Sequence, residues 1–220
     1  MQPFLTFFPF NDQGALACGT EGVASAELAI PQPDALKRYG PWLEEILSPS
    51  RRVVLASTDS LEMRERRPRR SEIINENEAG LVIFLTKVLL EAGVAGSSIG
   101  IISPYRAQVE LLERLIEKDD SLKSVEALTI DRAQGRDKDV ILVSMVRSNE
   151  EKEVGQLLQD ERRVNVLVSR AKVKLLLIGS WSTLCTSAPM NRIYQHTVQH
   201  HWQVEVSENI TSFLPTYDLG

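Results

Sequence analysis

The sequence predicts an α/β fold, a doubly wound parallel sheet flanked by helices, and three observations carry that prediction. Val-, Ile- and Leu-rich runs of strand length recur from residue 52 onward, and stretches with apolar residues at helical spacing lie between them. The strand runs are continuously apolar rather than alternating, as parallel strands covered on both faces by helices must be.

Size and composition bound the answer. A chain of 220 residues, 43% hydrophobic and 25% charged, is enough for one substantial core with an appendage. The net charge of -5 excludes a uniformly basic coat, so any contact with phosphates has to come from a local patch. Two cysteines, Cys18 and Cys185, exclude a disulfide framework, a four-cysteine zinc site and an iron-sulfur cluster built from this chain alone. Phe4 to Phe10 is apolar but lacks a basic flank, and the run from Leu81 to Leu90 is interrupted by Lys87, so neither a signal peptide nor a membrane span is expected.

Residues 1–50 carry Gly14, Gly19, Gly22, Pro31, Pro33, Gly40 and Pro41 among short apolar pieces, which predicts a loop-rich N-terminal part. The main domain is expected over 51–206, with a tail at 207–220. Arg52 to Ser57 is a β-branched run and reads as the first buried strand. Within 62–72, Arg64 to Arg70 holds five arginines in seven residues around Pro68, which predicts a mobile, solvated loop. Phosphate contact and nuclear import are the alternative uses of such a cluster.

Asn75 with Glu78 three residues later resembles a capping box, and Leu81, Val82, Leu85, Val88 and Leu89 then mark one face of a helix ending by Gly93. Ser98 to Ser103 reads as a buried strand. Ser103 is expected to cap the next helix, with Pro104 in its first turn and Val109, Leu112, Leu115 and Ile116 facing inward. Val125 to Ile130, Asp139 to Val146 and Val173 to Gly179 are further strands, with a helix from Asp160 to Ala171 before the last. Two short helices follow Trp181, the better defined over Arg192 to Trp202, and Trp202 to Val206 reads as a closing strand.

Ligands of doubly wound sheets gather at the carboxyl ends of the strands, and the residues fit for chemistry are expected there or on the following helices. Gln134-Gly135-Arg136-Asp137 combines a turn glycine with a carboxylate able to meet a nucleotide sugar or phosphate. Arg170, near the end of an amphipathic helix, is expected to project its guanidinium from the domain edge. The competing reading pairs Arg162, Arg163 and Arg170 with Asp160 and Glu161. His196 and His200 stand at metal-binding spacing, but no acid or thiol nearby completes a site, so no metal is expected. Trp42, Trp181 and Trp202 read as packing residues. Nowhere in the 220 residues is there a glycine-rich loop ending in Gly-Lys-Ser/Thr, the device that holds a triphosphate.

Three stretches point to one family. Ile101 to Gln108 (Ile-Ile-Ser-Pro-Tyr-Arg-Ala-Gln), Leu128 to Asp139 (Leu-Thr-Ile-Asp-Arg-Ala-Gln-Gly-Arg-Asp-Lys-Asp) and Arg162 to Lys172 (Arg-Arg-Val-Asn-Val-Leu-Val-Ser-Arg-Ala-Lys) resemble helicase motifs IV, V and VI, in that order. From Ile99 to Gly179 the chain is similar to the second RecA-like domain of superfamily 1 helicases. Gln134 to Lys138, Val143 to Asn149, Ala17 to Thr20 and Asn77 to Thr86 resemble the eukaryotic replication nuclease-helicases more than the RNA-surveillance helicases.

The resemblance implies an RecA-like sheet without its own phosphate loop, working in an ATP-dependent 5'-to-3' DNA helicase. It implies Arg170 as an arginine finger on the γ-phosphate, with Gln134, Gly135 and Asp137 approaching the nucleotide and Arg163 supporting that edge. Pro104, Tyr105, Arg106, Thr129 and Arg147 are implied to face single-stranded DNA, RNA being the lesser alternative. ATP and Mg2+ would be held mainly by a first RecA-like motor domain, in cis or in trans, whose groups belong upstream of Met1, so this chain is not expected to hydrolyse ATP by itself. The resemblance places such a protein in the nucleus. The chain departs from the family pattern at Val173, at Arg132-Ala133 and at Ser169, where Thr is usual. A stand-alone binding or regulatory module that has lost catalysis is the competing class.

Overall fold

A computed structural model describes residues 27–212 and Leu214. Expectations for residues 1–26, including Phe4 to Phe10, Cys18 and the stretch Ala17 to Thr20, lie outside the described residues, as does the end of the tail. The sheet contains β1 (Val53–Ser57), β2 (Ile99–Ser103), β3 (Glu126–Thr129), β4 (Lys138–Ser144), β5 (Ala171–Gly179) and β6 (Gln203–Glu205). Their order is β3-β2-β4-β5-β1-β6 and every pairing is parallel. The doubly wound sheet read from the sequence is the fold observed.

Helices cover both faces because the central strands β1, β2, β4 and β5 are apolar on both sides. On one face α1 (Pro41–Leu47), α2 (Glu76–Glu91) and α3 (Arg106–Glu117) pack on Val54, Ala56, Ile99, Ile101, Leu142 and Leu176. On the other, α4 (Glu161–Val168), α5 (Trp181–Leu184) and α6 (Ala188–Gln199) pack on Val53, Leu55, Ile141, Val143, Leu175 and Leu177. The period-two division of β1, β4 and β5 between the two cores is the pleat of the strand made visible.

Helix α2 departs from the one-sided stripe expected of it. Every residue from Glu78 to Thr86 is buried, because the segment before β1 contributes Leu36, Leu43 and Ile46 to the same core and closes over the helix. Its N-cap is half of the expected box: Asn75 accepts from the Glu78 amide at 3.0 Å. The Glu78 carboxylate does not reach back to the Asn75 amide, which donates instead to Gln108 Oε1 at 2.8 Å. Ser103 does not cap α3 either. The helix starts at Arg106 with Tyr105 as an N-cap lacking a side-chain bond, so Pro104 precedes it rather than forming its first turn.

The arginine-rich stretch is also more ordered than a mobile loop. Arg66 and Ile74 form an antiparallel bridge, with backbone bonds of 2.7 and 2.9 Å. Arg66 pairs with Glu76 at 2.7 Å and Arg69 with Glu72 at 2.9 Å. Alternating acids thus relieve the repulsion that the arginine run alone implies.

The link from β3 to β4 sets the position of the site. Residues 130–137 return from the carboxyl edge of the sheet to its amino edge, tied by Ala133 N to Thr129 O at 2.9 Å and Arg136 N to Ala133 O at 3.0 Å. Ile130 and Ala133 are buried beneath this turn. Gln134, Gly135 and Asp137 therefore precede β4 and stand at the amino edge, which corrects the expectation of a carboxyl-edge location. Arg170, preceding β5, stands at the same edge. The cause is the direction of the chain: a turn that leads into a strand must lie at that strand's amino end.

Candidate functional site

The register of β4 on β5 pairs Lys138 with Ala171. The residues just before them, Asp137 and Arg170, are consequently neighbours at the amino edge. Lys138 N donates to Arg170 O at 3.2 Å, fixing the two turns to each other. Arg170 NH1 donates to Asp137 Oδ1 at 2.8 Å, NH2 to Ser169 Oγ at 2.9 Å, and Nε to Val166 O at 3.3 Å. The Arg170 side chain is 13% exposed and that of Asp137 21%. This corrects the expectation of a free, projecting guanidinium. Helix α4 ends at Val168, so Arg170 lies in the turn after it, where its own backbone and the adjoining motif hold it down. Its partner is Asp137, and neither Asp160 nor Glu161. Ser169 supplies the hydroxyl that the usual Thr would, so this departure keeps the contact.

Gly135 has φ +76° with no atom within 4 Å of where a Cβ would stand. Its conformation, not crowding, calls for glycine. Gln134 is exposed beside it. Arg163 is not brought to this cluster. It sits seven residues earlier on α4, roughly 10 Å along the axis, and its nearest carboxylate is Asp160 at 3.9 Å. For a triphosphate the cluster offers one guanidinium, the Gln134 amide and an open turn. For magnesium it offers little: among the described residues no three His, Cys, Asp or Glu side chains converge.

The residues expected to face a nucleic-acid strand gather at the opposite, carboxyl edge, and here the side chains divide. Arg106 is exposed, held to Glu110 at 2.8 Å across one helical turn. Thr129 ends β3, half-buried, its Oγ1 accepting from Arg132 N at 3.4 Å. Pro104 is buried, and Tyr105 is half-buried with its phenol donating to Val154 O at 3.1 Å. Burial raises the pKa of that phenol, with Arg147 beside it acting the other way.

Arg147 turns inward, contrary to a strand-facing side chain. Its Nε donates to Glu65 Oε2 at 2.8 Å, and the arginine side chain is only 3% exposed. The same carboxylate oxygen accepts from Ser148 N at 3.0 Å and Asn149 Nδ2 at 2.9 Å. Gly155, at φ +79°, lies so close that a Cβ there would be 2.5 Å from Arg147 NH1 and 3.3 Å from the Tyr105 hydroxyl. Arg147 thus joins β4, the arginine-rich stretch and the loop before α4.

Four residues, Gln108, Ser144, Glu78 and Glu65, build this edge without a functional role expected from the sequence. Gln108 donates to Asn75 O at 3.0 Å and to Ser144 Oγ at 2.9 Å. Ser144 donates to Glu78 Oε1 at 2.5 Å, which also accepts Val146 N at 2.8 Å. Glu78 is fully buried, and desolvation raises its pKa to about 7 against the pull of Ser144 and the Val146 amide. Gln108 was visible within motif IV, and Glu78 as the third residue of a cap. Glu65 was hidden among the arginines around it.

Comparison with known proteins bears on this arrangement. Residues 12–182 match the family described as AAA domain. The chain is similar to the DNA replication ATP-dependent helicase/nuclease DNA2 of Mus musculus, 42% identical over 192 residues that take in 83% of this chain and 18% of the relative. The Homo sapiens protein of the same name is 37% identical over 193 residues, 84% of this chain and 18% of the relative. That of Schizosaccharomyces pombe is 38% identical over 203 residues, 89% and 14% respectively. The chain spans less than a fifth of the length of these relatives.

Proposed function

From the premise that the chain belongs to the AAA domain family and is homologous to the DNA2-type helicase-nucleases of replication and repair, we propose that it serves as the second motor domain of an ATP-dependent 5'-to-3' DNA helicase. In this reading Arg170 acts as the arginine finger. The observation that carries it is the meeting of motifs V and VI at one sheet edge, where Arg170 lies 2.8 Å from Asp137 beside the open Gly135 turn. A γ-phosphate presented by a first RecA-like domain would draw the guanidinium from the carboxylate, since a phosphate can take two guanidinium N–H groups where Asp137 takes one, and carries more charge.

ATP supplies the energy, and Mg2+ neutralises its phosphates. In this reading both are held mainly by the first domain, because the chain has no Gly-Lys-Ser/Thr loop. Gln134, Gly135 and Asp137 approach the nucleotide. Arg163, standing apart, acts on the helix end rather than on the phosphate. Single-stranded DNA follows the opposite edge over Arg106 and Thr129, while Pro104, Tyr105 and Arg147 shape that edge from within. A nuclear location follows from the same relationship. Among the described residues no helix is long and apolar enough to cross a membrane.

The test is reconstitution with a first RecA-like domain from a related helicase, measuring ATP hydrolysis with and without single-stranded DNA. Arg170→Ala is expected to lower the stimulated rate by about 10³-fold. An unchanged rate removes the finger. A stand-alone binding module is favoured by one observation, that Arg170 is already satisfied within the chain, and it predicts no stimulated hydrolysis in any reconstitution. RNA in place of DNA as the better stimulator would move the substrate.

A further inference from the structure

We propose that the groove between the arginine-rich segment and α3 is a second binding site for the phosphodiester backbone of a nucleic-acid strand, an inference that rests on the helicase reading and extends the path of its DNA. The groove encloses about 670 Å³, with Arg66, Pro68 and Arg69 on one wall and Ala107, Arg114 and Lys118 on the other. Its shape is built in. The Arg66–Ile74 bridge closes the segment into a loop, and Glu65 and Asn75 fasten the two ends of that loop to the chain after β4.

The charge count decides which ligand fits. Three glutamates line the groove, and each is already engaged by an arginine: Glu76 by Arg66 at 2.7 Å, Glu72 by Arg69 at 2.9 Å and Glu110 by Arg106 at 2.8 Å. Arg114 and Lys118, one helical turn apart and both exposed, have no carboxylate within ion-pair distance among the described residues. Two elements therefore line one trough with cations, Arg66 and Arg69 held by its glutamates on the bridged loop and Arg114 and Lys118 unpaired on the helix. A chain of phosphates satisfies such a row, whereas a single small anion would leave most of it unused. The trough also runs along α3 from the turn bearing Arg106, so a strand contacting that turn continues into it.

The experiment measures binding of a labelled oligothymidylate of about 20 nucleotides to the full chain by fluorescence anisotropy, across roughly 50 to 200 mM salt. Arg114→Ala/Lys118→Ala is expected to weaken binding and reduce the log–log salt slope by about 1.4, since each single-strand phosphate contact contributes about 0.7. Both residues are exposed, so the fold should survive, with circular dichroism as the check. Arg114→Glu/Lys118→Glu should weaken binding further. Unchanged affinity and slope in both variants, while Arg106→Ala still weakens binding, overturns the groove and leaves the helicase reading standing. Weakening by the groove variants but not by Arg106→Ala supports the groove and counts against a strand at the Tyr105 turn. No binding by the parent chain overturns both. If the groove variants lose binding to polyglutamate but not to the oligonucleotide, the groove serves an acidic protein and the proposal falls.

Discussion

Arg147 and Glu65, 82 residues apart in the chain, form an ion pair at 2.8 Å in which the arginine side chain is 3% exposed and the glutamate 6%. A buried pair of this kind contributes little net stability over an apolar substitute, but removing one partner strands the other charge. Glu65→Ala is therefore expected to destabilise the domain by about 3 to 5 kcal/mol. Glu65→Gln, which keeps acceptors for Ser148 N and Asn149 Nδ2, should cost less. Urea unfolding of the two variants checks the order, and equal costs would mean that packing rather than charge sets the loss.

Gly135 and Gly155 make a second pair of predictions because they share a backbone conformation and differ in surroundings. At Gly135, φ is +76° and the space for a Cβ is open, so Gly135→Ala should cost roughly 1 to 2 kcal/mol from strain alone. At Gly155, φ is +79° and the new Cβ would meet Arg147 NH1 at 2.5 Å. That guanidinium is pinned by Glu65 and cannot swing away cheaply, so Gly155→Ala should cost distinctly more. It should also lose part of its excess cost in an Arg147→Ala background. A double-mutant cycle by thermal unfolding reads the coupling directly.

The strands were legible because buried parallel strands leave unbroken apolar runs, and Arg52 to Ser57 and Val173 to Gly179 are two of them. The Asp137–Arg170 pair was not legible. It depends on the register of β4 against β5, which sets Lys138 beside Ala171, and nothing local to either segment encodes that alignment. The same reason hid the sheet edge on which motif V stands: its glycine turn precedes a strand, and only the topology says which end that is. Glu78 misled in another way. Its spacing from Asn75 suits a cap, yet the carboxylate serves Ser144 and Val146, residues that the sequence places 66 and 68 positions away. Local rules described the helix start correctly and its third residue wrongly, because tertiary contacts outbid the local bond.

Lys174 gives a stability effect at alkaline pH. Fully buried in β5, its ammonium group donates to Ser48 O at 2.9 Å and Arg51 O at 2.5 Å, and burial, with Arg51 adding to it, lowers its pKa to about 7. The unfolded lysine keeps a pKa near 10.4. Between these values the unfolded chain binds a proton that the folded one does not, so stability rises with pH from about 7 to about 10. Each unit of difference is worth about 1.4 kcal/mol. Denaturant unfolding across this range should show the rise in the parent and lose it in Lys174→Met. A slope unchanged by that substitution would assign the effect to another group.

Glu78 acts with the opposite sign in the acidic range. Its folded pKa, raised to about 7 by burial, lies above the unfolded value near 4.3, so the folded state retains a proton that the unfolded state has lost. Its contribution is fully present below about pH 4 and declines as pH rises to about 7, by an amount on the order of 3 kcal/mol. Glu78→Gln keeps an acceptor for Ser144 Oγ and Val146 N while removing the charge. The variant should therefore match the parent near pH 4 to 5, become relatively more stable as pH approaches 7, and hold that advantage above it. Because Glu78 links α2 to the end of β4, the amide protection of Val146 should show the same pH dependence in the parent and lose it in the variant. A Glu78→Gln protein whose stability tracks the parent at every pH would mean that the folded and unfolded carboxyl titrate alike, so that burial does not shift Glu78 and the Ser144 and Val146 bonds offset its desolvation.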